Sequence, residues 1–280
     1  MPDLPRIPIG EWARQFINLL RRELSAVFDV IGAVLDTLIG WLATVLLWPH
    51  PLLFALLAGL LGLWLRGWRF GLFSSLSFLL IESMGFWVST MQTLALVLVA
   101  TLLAVIIGVP TGILAARSRG MSASVRPVLD LMQTLPAFVY LIPAVMLFSI
   151  GTVPGLIATL VFAIPPGVRL TELGIRQVDP EVVEAARAFG ASRNQVLTRV
   201  QIPLAMPTIM QGVNQVIMLA LSMVVIAGMI GAGGLGEDVF RGITRLQIGL
   251  GVESGLAVVI IAIFLDRITS FMRDRALDLD

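Results

Sequence analysis

Long apolar runs, broken at short intervals by proline, glycine and arginine, dominate the chain. After His50 this pattern predicts a series of membrane-spanning helices. Residues 52–65 are short but dense in leucine, and Trp64, Arg66, Trp68 and Arg69 beside them form an aromatic and basic belt of the kind that sits at a bilayer surface. Residues 70–84 return, with Glu82 near the far end. Residues 90–116 are the longest clean span and hold Gly108, Pro110 and Gly112, where small residues permit close helix approach and proline permits a kink. Further spans follow at 129–150, broken by Pro136 and Pro143, at 155–169, interrupted by Pro165 and Pro166, at 207–230 and at 256–265, with a tight turn at 151–154. That makes seven. Residues 26–48 are also apolar, but Asp29 and Asp36 fall on one helix face. Two aspartates facing hydrocarbon would be costly, which favours an amphipathic helix lying in the interface. If that segment crosses, the count is eight and the N-terminus moves to the cytoplasm.

One stretch interrupts the apolar pattern. Asp179 can cap a helix, Pro180 suits its first turn, and Glu181 and Glu184 lie at the positive end of its dipole. Gly190 ends that helix, and Ser192 with Gln195 reads as a capping box opening a second one toward Pro203. The two make a compact polar knob in a lipid-embedded chain.

Charge then orients the spans. Arg117, Arg119 and Arg126 follow the third span, Arg169, Arg176, Arg187, Arg193 and Arg199 surround the knob, and Arg267, Arg273 and Arg275 lie near the C-terminus. The positive-inside rule puts all three regions in the cytoplasm and the N-terminus outside.

Composition narrows the chemistry. At 58% hydrophobic and 13% charged residues over 280 positions, the apolar surface exceeds what one water-soluble domain can bury, so the chain is an all-α polytopic membrane protein. There is no cysteine, which excludes disulfides and thiol chemistry. Residues 1–10 show no recognisable cleavage signal. No lysine is present, so a Walker A loop cannot be built, and energy must come from a partner or a gradient. A net charge of +1 gives no reason to expect nucleic acid. Residues 231–236 satisfy the glycine pattern of a dinucleotide loop, but they follow a membrane span and not a strand. They are expected to turn the chain at the outer end of that span, where Glu237 and Asp238 meet water. Asp130, Glu172, Glu253 and Asp266 lie near span ends, where solvated or arginine-paired carboxylates are expected.

Glu184, Ala185 and Ala186, then Gly190 four positions on and Pro203 after nine intervening residues and a short apolar run, resemble the EAA loop of ABC-importer permeases. The run from Asp130 to Pro143, the segment 151–155, the segment 221–226 and Asp266 to Thr269 are similar to permeases that import glycine betaine, proline betaine and choline. The resemblance covers roughly residues 50–270. The short N-terminal region, without a long acidic extension, leaves the subfamily member open. The resemblance implies a five-helix permease core at 86–272 with a cytoplasmic coupling loop at 173–203. Residues 1–50 would be a tail and interfacial helix, 51–85 two peripheral transmembrane helices, and 273–280 a C-terminal tail.

The same resemblance implies that Glu184, Ala185, Ala186, Arg187, Phe189, Gly190 and Pro203 form the surface that meets an ATP-binding cassette subunit. ATP and magnesium would be held there, with no cofactor bound by this chain. A second copy of the chain and an extracytoplasmic substrate-binding protein would complete the importer in the cytoplasmic membrane. Thr134, Phe138, Tyr140, Met218, Ser222 and Met223 are candidates to line a path for a quaternary ammonium solute, since aromatic faces and soft sulfur pass such a cation without tight capture. Core packing is the competing role for each. A gradient-driven secondary transporter is the alternative, but neither an internal repeat nor paired intramembrane charges are evident. An integral membrane enzyme would need clustered His, Asp or Glu at one depth.

Overall fold

A computed structural model describes residues 8–277, with side chains described through Phe271. Arg273 and Arg275 therefore lie outside the described side chains. The described elements are helical: α1 (Ile9–Glu23), α2 (Ser25–Leu47), α3 (Pro51–Arg66), α4 (Trp68–Ser83), α5 (Trp87–Arg117), α6 (Arg119–Thr134), α7 (Ala137–Phe148), α8 (Thr152–Arg176), α9 (Pro180–Ala188), α10 (Arg193–Val196), a π-helical turn (Leu197–Gln201), α11 (Ile202–Gly228), α12 (Gly234–Thr244) and α13 (Ile248–Leu277).

The centre of the molecule is the trio α5, α8 and α11. Water drives helices together by hiding apolar faces, but lipid does not, so spans associate through close backbone packing at small residues. Gly112 lies so near α8 that a Cβ there would fall 2.6 Å from both Thr171 Cβ and the Val168 carbonyl. Gly108 meets the Gly167 backbone, Gly212 meets Leu170 and the Pro166 carbonyl, and Gly174 meets Thr208. Around these contacts Met91, Val97, Leu156, Val216, Leu221 and Ile261 are buried in one continuous core. The Pro110 kink and the Pro165–Pro166 interruption expected from sequence do not break their helices. Tightly packed neighbours hold a helix across a proline in a way that local preference alone does not foresee.

The inventory of spans differs from the seven read off the apolar runs. Among the described residues five helical stretches are long and apolar enough to cross a bilayer: α2, α5, α8, Arg193–Gly228 and Ile248–Phe271. Helices α3 and α4 have 16 residues each. At 1.5 Å per residue they reach about 24 Å, short of a hydrocarbon layer of about 30 Å. They pack as a tight hairpin, with Gly59, Gly62 and Gly71 at the contact and the Ser75 hydroxyl donating to the Ala55 carbonyl at 3.1 Å. Residues 129–150 are not one span. Helices α6 and α7 meet at a bend of 97° at Leu135 and Pro136 and add a sixth crossing only if counted together. Proline has no N–H to extend α6, and Pro136 instead starts α7.

Helix α2 has the length and hydropathy to cross. Asp29 and Asp36 are both exposed and line a cavity of about 410 Å³ with Phe148, Ser149 and Pro154. Phe28 meets Phe148 edge-on at 5.5 Å and Phe54 meets Trp87 at 5.3 Å, so the start of α2 and the start of α3 both lie at the end of the bundle where α8 begins. The strongly amphipathic helix of the N-terminal region is α1, which exposes Ile9, Trp12 and Phe16.

The glycines at 231, 233 and 234 turn the chain as expected, with φ of +79°, +75° and +68°. The segment after them is not a water-facing loop, however. Helix α12 folds back against the bundle, its first N–H groups capped by Gln92 at 3.2 Å and Thr93 at 2.9 Å, and Gly236 lies against the Val224 carbonyl. Asp238 is consequently buried, paired with Arg241 at 2.9 Å.

Replacing Gly112 with leucine should force α5 and α8 apart and cost about 1–3 kcal/mol of stability. Gly255→Ala, where a Cβ would meet nothing within 4 Å, should be near neutral. Thermal unfolding of the two variants in detergent measures the difference.

Candidate coupling interface

The polar knob is built as its caps dictate. The Asp179 carboxylate accepts the Glu181 N–H at 2.9 Å and Pro180 opens α9. At the other end the Gly190 N–H reaches the Arg187 carbonyl at 2.9 Å and the Ala191 N–H reaches the Ala186 carbonyl at 3.1 Å. These are the paired bonds that close a helix on a left-handed residue, and Gly190 has φ of +83°. The capping box at Ser192 and Gln195 is present, with its two bonds at 2.8 and 3.4 Å. Helix α10 then passes through a π turn into α11. Pro203, in the first turn of α11, has no N–H for the Arg199 carbonyl, and the widened turn just before it accommodates the ring.

Three contacts seat the knob on the bundle. Leu197, Ile175, Ala205 and Ile209 form a separate buried cluster, with Val109, Ile113 and Val178 packed against it. The Arg117 guanidinium at the end of α5 donates to Asn194 Oδ1 at 2.8 Å. Val183 is the buried residue of α9. Glu184, Ala185, Arg187 and Pro203 are exposed and Ala186 is half-buried. Phe189 is 93% exposed, an aromatic ring left without cover at the tip of a rigid turn.

Next to the knob a carboxylate ties α6 to α8. Glu172, 6% exposed, accepts the Ser122 hydroxyl at 2.7 Å and pairs with Arg176 at 2.9 Å and Arg126 at 3.4 Å. Arg176 also donates to the Ala115 carbonyl of α5 at 2.9 Å. Asp130 pairs with Arg169 beside them. The arginine pairing expected for Glu172 and Asp130 is therefore present. Asp266 instead accepts the Asn214 amide at 3.0 Å, and Thr269 donates to the other end of that amide at 2.8 Å. The hub at Glu172 was missed as a structural centre because its partners come from separate helices, which spacing along one segment does not show.

The six residues proposed for a path divide. Phe138 and Met218 are 51% and 41% exposed. Thr134 and Ser222 are exposed, with their hydroxyls turned back on the Asp130 and Met218 carbonyls at 2.8 and 2.9 Å. Tyr140 is half-buried. Met223 is 1% exposed and packs with Leu141 and Ala158, so its role is core packing.

These features define a class: a multi-pass helical membrane subunit presenting a rigid, charged elbow at one end of a tightly packed bundle. The family described as the binding-protein-dependent transport system inner membrane component matches residues 108–276, and the chain belongs to it. The glycine betaine transport system permease protein OpuAB of Bacillus subtilis is 46% identical over 96% of this chain and 95% of its own length. The glycine betaine/proline betaine transport system permease protein ProW of Escherichia coli is 49% identical, over 94% of this chain and 74% of its own. A chain of the MetNI methionine ABC transporter, in an inward-facing form, shares the fold with a TM-score of 0.56 at 22% identity, over 65% of this chain and 90% of that one. The chain is thus the permease component of an ABC importer and not itself an enzyme. ATP is hydrolysed by a separate subunit, and a substrate-binding protein works with the permease.

Glu172→Gln should loosen α6 from α8 at a cost of about 1.5–3 kcal/mol, the range for hydrogen bonds to charged groups. A double-mutant cycle with Ser122→Ala, whose hydroxyl reaches Glu172 from α6 at 2.7 Å, read by thermal unfolding, should show that much of this loss is shared by the pair.

Proposed function

We propose that this chain is one half of a two-fold pair that carries glycine betaine, proline betaine or a related quaternary ammonium solute, choline among them, into the cell by alternating access. Support for the substrate class comes from OpuAB and ProW, whose names specify betaines and whose similarity extends over nearly the whole chain. The single observation that carries the mechanism is the elbow: a turn held by its own caps, seated on α5, α8 and α11, with Phe189 exposed at its tip. Glu184, Ala185, Ala186, Arg187, Phe189, Gly190 and Pro203 would meet the ATPase subunit, which holds ATP and magnesium. Closure of two such subunits would drive the elbows together, and the seated helices would follow as rigid bodies.

The elbow and the C-terminus are assigned to the cytoplasm, because arginines at 117, 119, 126, 169, 176, 187, 193 and 199 gather at that end. Phe28 lies against Phe148 at the opposite end, which supports an N-terminus outside and α2 lying across the outer face. The path is assigned to the two-fold interface, with Thr134, Phe138, Tyr140, Met218 and Ser222 toward it. A gradient-driven transporter would have no use for a rigid exposed elbow.

Vesicles holding this chain alone should accumulate no labelled glycine betaine, and vesicles holding it with its ATPase and binding protein should do so only with ATP on the side that the ATPase faces. Accumulation by the chain alone would refute the proposal. Gly190→Trp, which strains the left-handed turn, or Glu184→Arg should abolish co-purification of the ATPase. Because the chain has no native cysteine, a cysteine at the exposed Ala188 should react with a membrane-impermeant thiol reagent only from the cytoplasmic side.

A further inference from the structure

We propose that Gln211 and Gln215 of α11 bind the carboxylate of a betaine as it passes through the two-fold pair, an inference that rests on the path assigned above. Along α11 the residues Leu204, Gln211, Gln215, Met218 and Ser222 are exposed, and their spacing of three, four or seven puts them on one face. Gln211 and Gln215 are the tenth and fourteenth of the 27 residues of α11, at mid-span. Neither amide is hydrogen-bonded to any described residue. Asn214 beside them shows what an inward-facing amide does in this bundle: it donates to Asp266 at 3.0 Å and accepts from Thr269 at 2.8 Å.

Two free amides at mid-span are ill suited to lipid, where an unsatisfied polar group is costly. Other spans expose only apolar residues at comparable positions. Between Gln92 and Arg117, α5 exposes Leu102, Ile106, Ile107, Pro110 and Leu114, and between Glu253 and Arg267, α13 exposes Leu256, Val259 and Ile263. Those faces suit lipid, whereas the α11 face suits water and a polar solute. Met218 and Phe138, both exposed, offer a surface to the cationic end of a betaine but nothing to its anionic end. The glutamines supply that partner: an amide N–H donates to a carboxylate, and a hydrogen bond to a charged acceptor is stronger than one between neutral groups. At 1.5 Å per residue the two amides are about 6 Å apart along the axis and Met218 about 4.5 Å further on. One betaine can therefore hold its carboxylate between the glutamines with its trimethylammonium group on the Met218 sulfur. Because the amides carry no charge, they recognise the carboxylate without the bidentate ion pair that arginine would form, and release stays easy.

The test uses the permease assembled with its ATPase subunits in nanodiscs, with Met218→Cys as a reporter in a chain that has no native cysteine. A charged thiol reagent should label this reporter and leave Val259→Cys, on the aliphatic face of α13, unlabelled. Glycine betaine should protect the reporter at lower concentration than tetramethylammonium, which lacks the carboxylate. Adding Gln211→Leu and Gln215→Leu should raise the glycine betaine concentration for half-protection about tenfold or more, the loss of a hydrogen bond to a charged group, and leave tetramethylammonium unaffected. Ser222→Cys serves as the reporter if Met218→Cys disturbs assembly. Equal protection by the two solutes overturns the subsite, and so does protection by glycine betaine that the two leucines leave unchanged. A reporter that the reagent never reaches overturns it as well, since lipid or the second copy then seals that face, and equal labelling at positions 218 and 259 does the same by removing the contrast between the faces. The reading on which the subsite rests fails separately, in ATP-driven uptake: a native assembly that accumulates betaine while its variants fail these tests loses the subsite alone.

Discussion

Contact between α5, α8 and α11 at glycine is the constraint on which the remaining structure depends. A span surrounded by lipid gains little by burying leucine against leucine, since lipid tails are as apolar as the side chain. Such spans are held by dispersion between surfaces that fit, and the fit is closest where no Cβ intervenes. Gly108 and Gly112 of α5, Gly167 and Gly174 of α8, and Gly212 of α11 lie along the two crossings in succession. That alignment lets the three helices behave as one solid, which makes an elbow attached to their ends mechanically useful.

The elbow itself was legible in sequence almost to the residue. Its capping devices are local: Asp179, Pro180, Gly190, Ser192 and Gln195 act on their immediate neighbours along the chain, and each adopts the geometry its chemistry prefers. The Gly108 and Gly112 pair was legible too as a close-packing signal. By contrast, the right-angle bend at Pro136 and the return of α12 into the bundle were not. An apolar run records that a segment avoids water, but not its direction or depth. Pro136 is compatible in sequence with either a kink or a stop, and only the packing of α7 against α8 decides it. Asp238 misled for the same reason: a carboxylate just past a glycine turn looks like a surface residue until its helix folds inward.

The path residues show where single-segment reasoning ends. Met218, Ser222 and Met223 occupy little more than one turn of α11, yet Met218 and Ser222 are exposed while Met223 is sealed against Leu141 and Ala158. Helical periodicity predicts that one of three such neighbours faces away from the others. Which one faces inward is set by α7 and α8, and those contacts have no signature within α11.

The two modes of attachment around the core differ in strength, and that difference bears on movement. The glycine contacts are dry and backbone-deep, so separating α5 from α8 would open voids along their length. Helix α6 is held to α8 largely by ion pairs whose outer members are exposed: Arg126 at 62%, Asp130 at 64% and Arg169 at 43% of their side-chain surface. Pairs of that kind contribute about 0–1 kcal/mol each. Only the buried Glu172, with its Ser122 contact across the two helices, is expensive to part. If the elbow is pushed, the trio to which it is bolted through Leu197, Ile175 and Asn194 moves without deforming, and relative displacement falls where the attachment is weakest. That place is the strap of α6 over α8, together with the bend at Pro136 that links α6 to α7. Because α7 carries Phe138 and Tyr140, a shift there changes the aromatic surface offered beside α11.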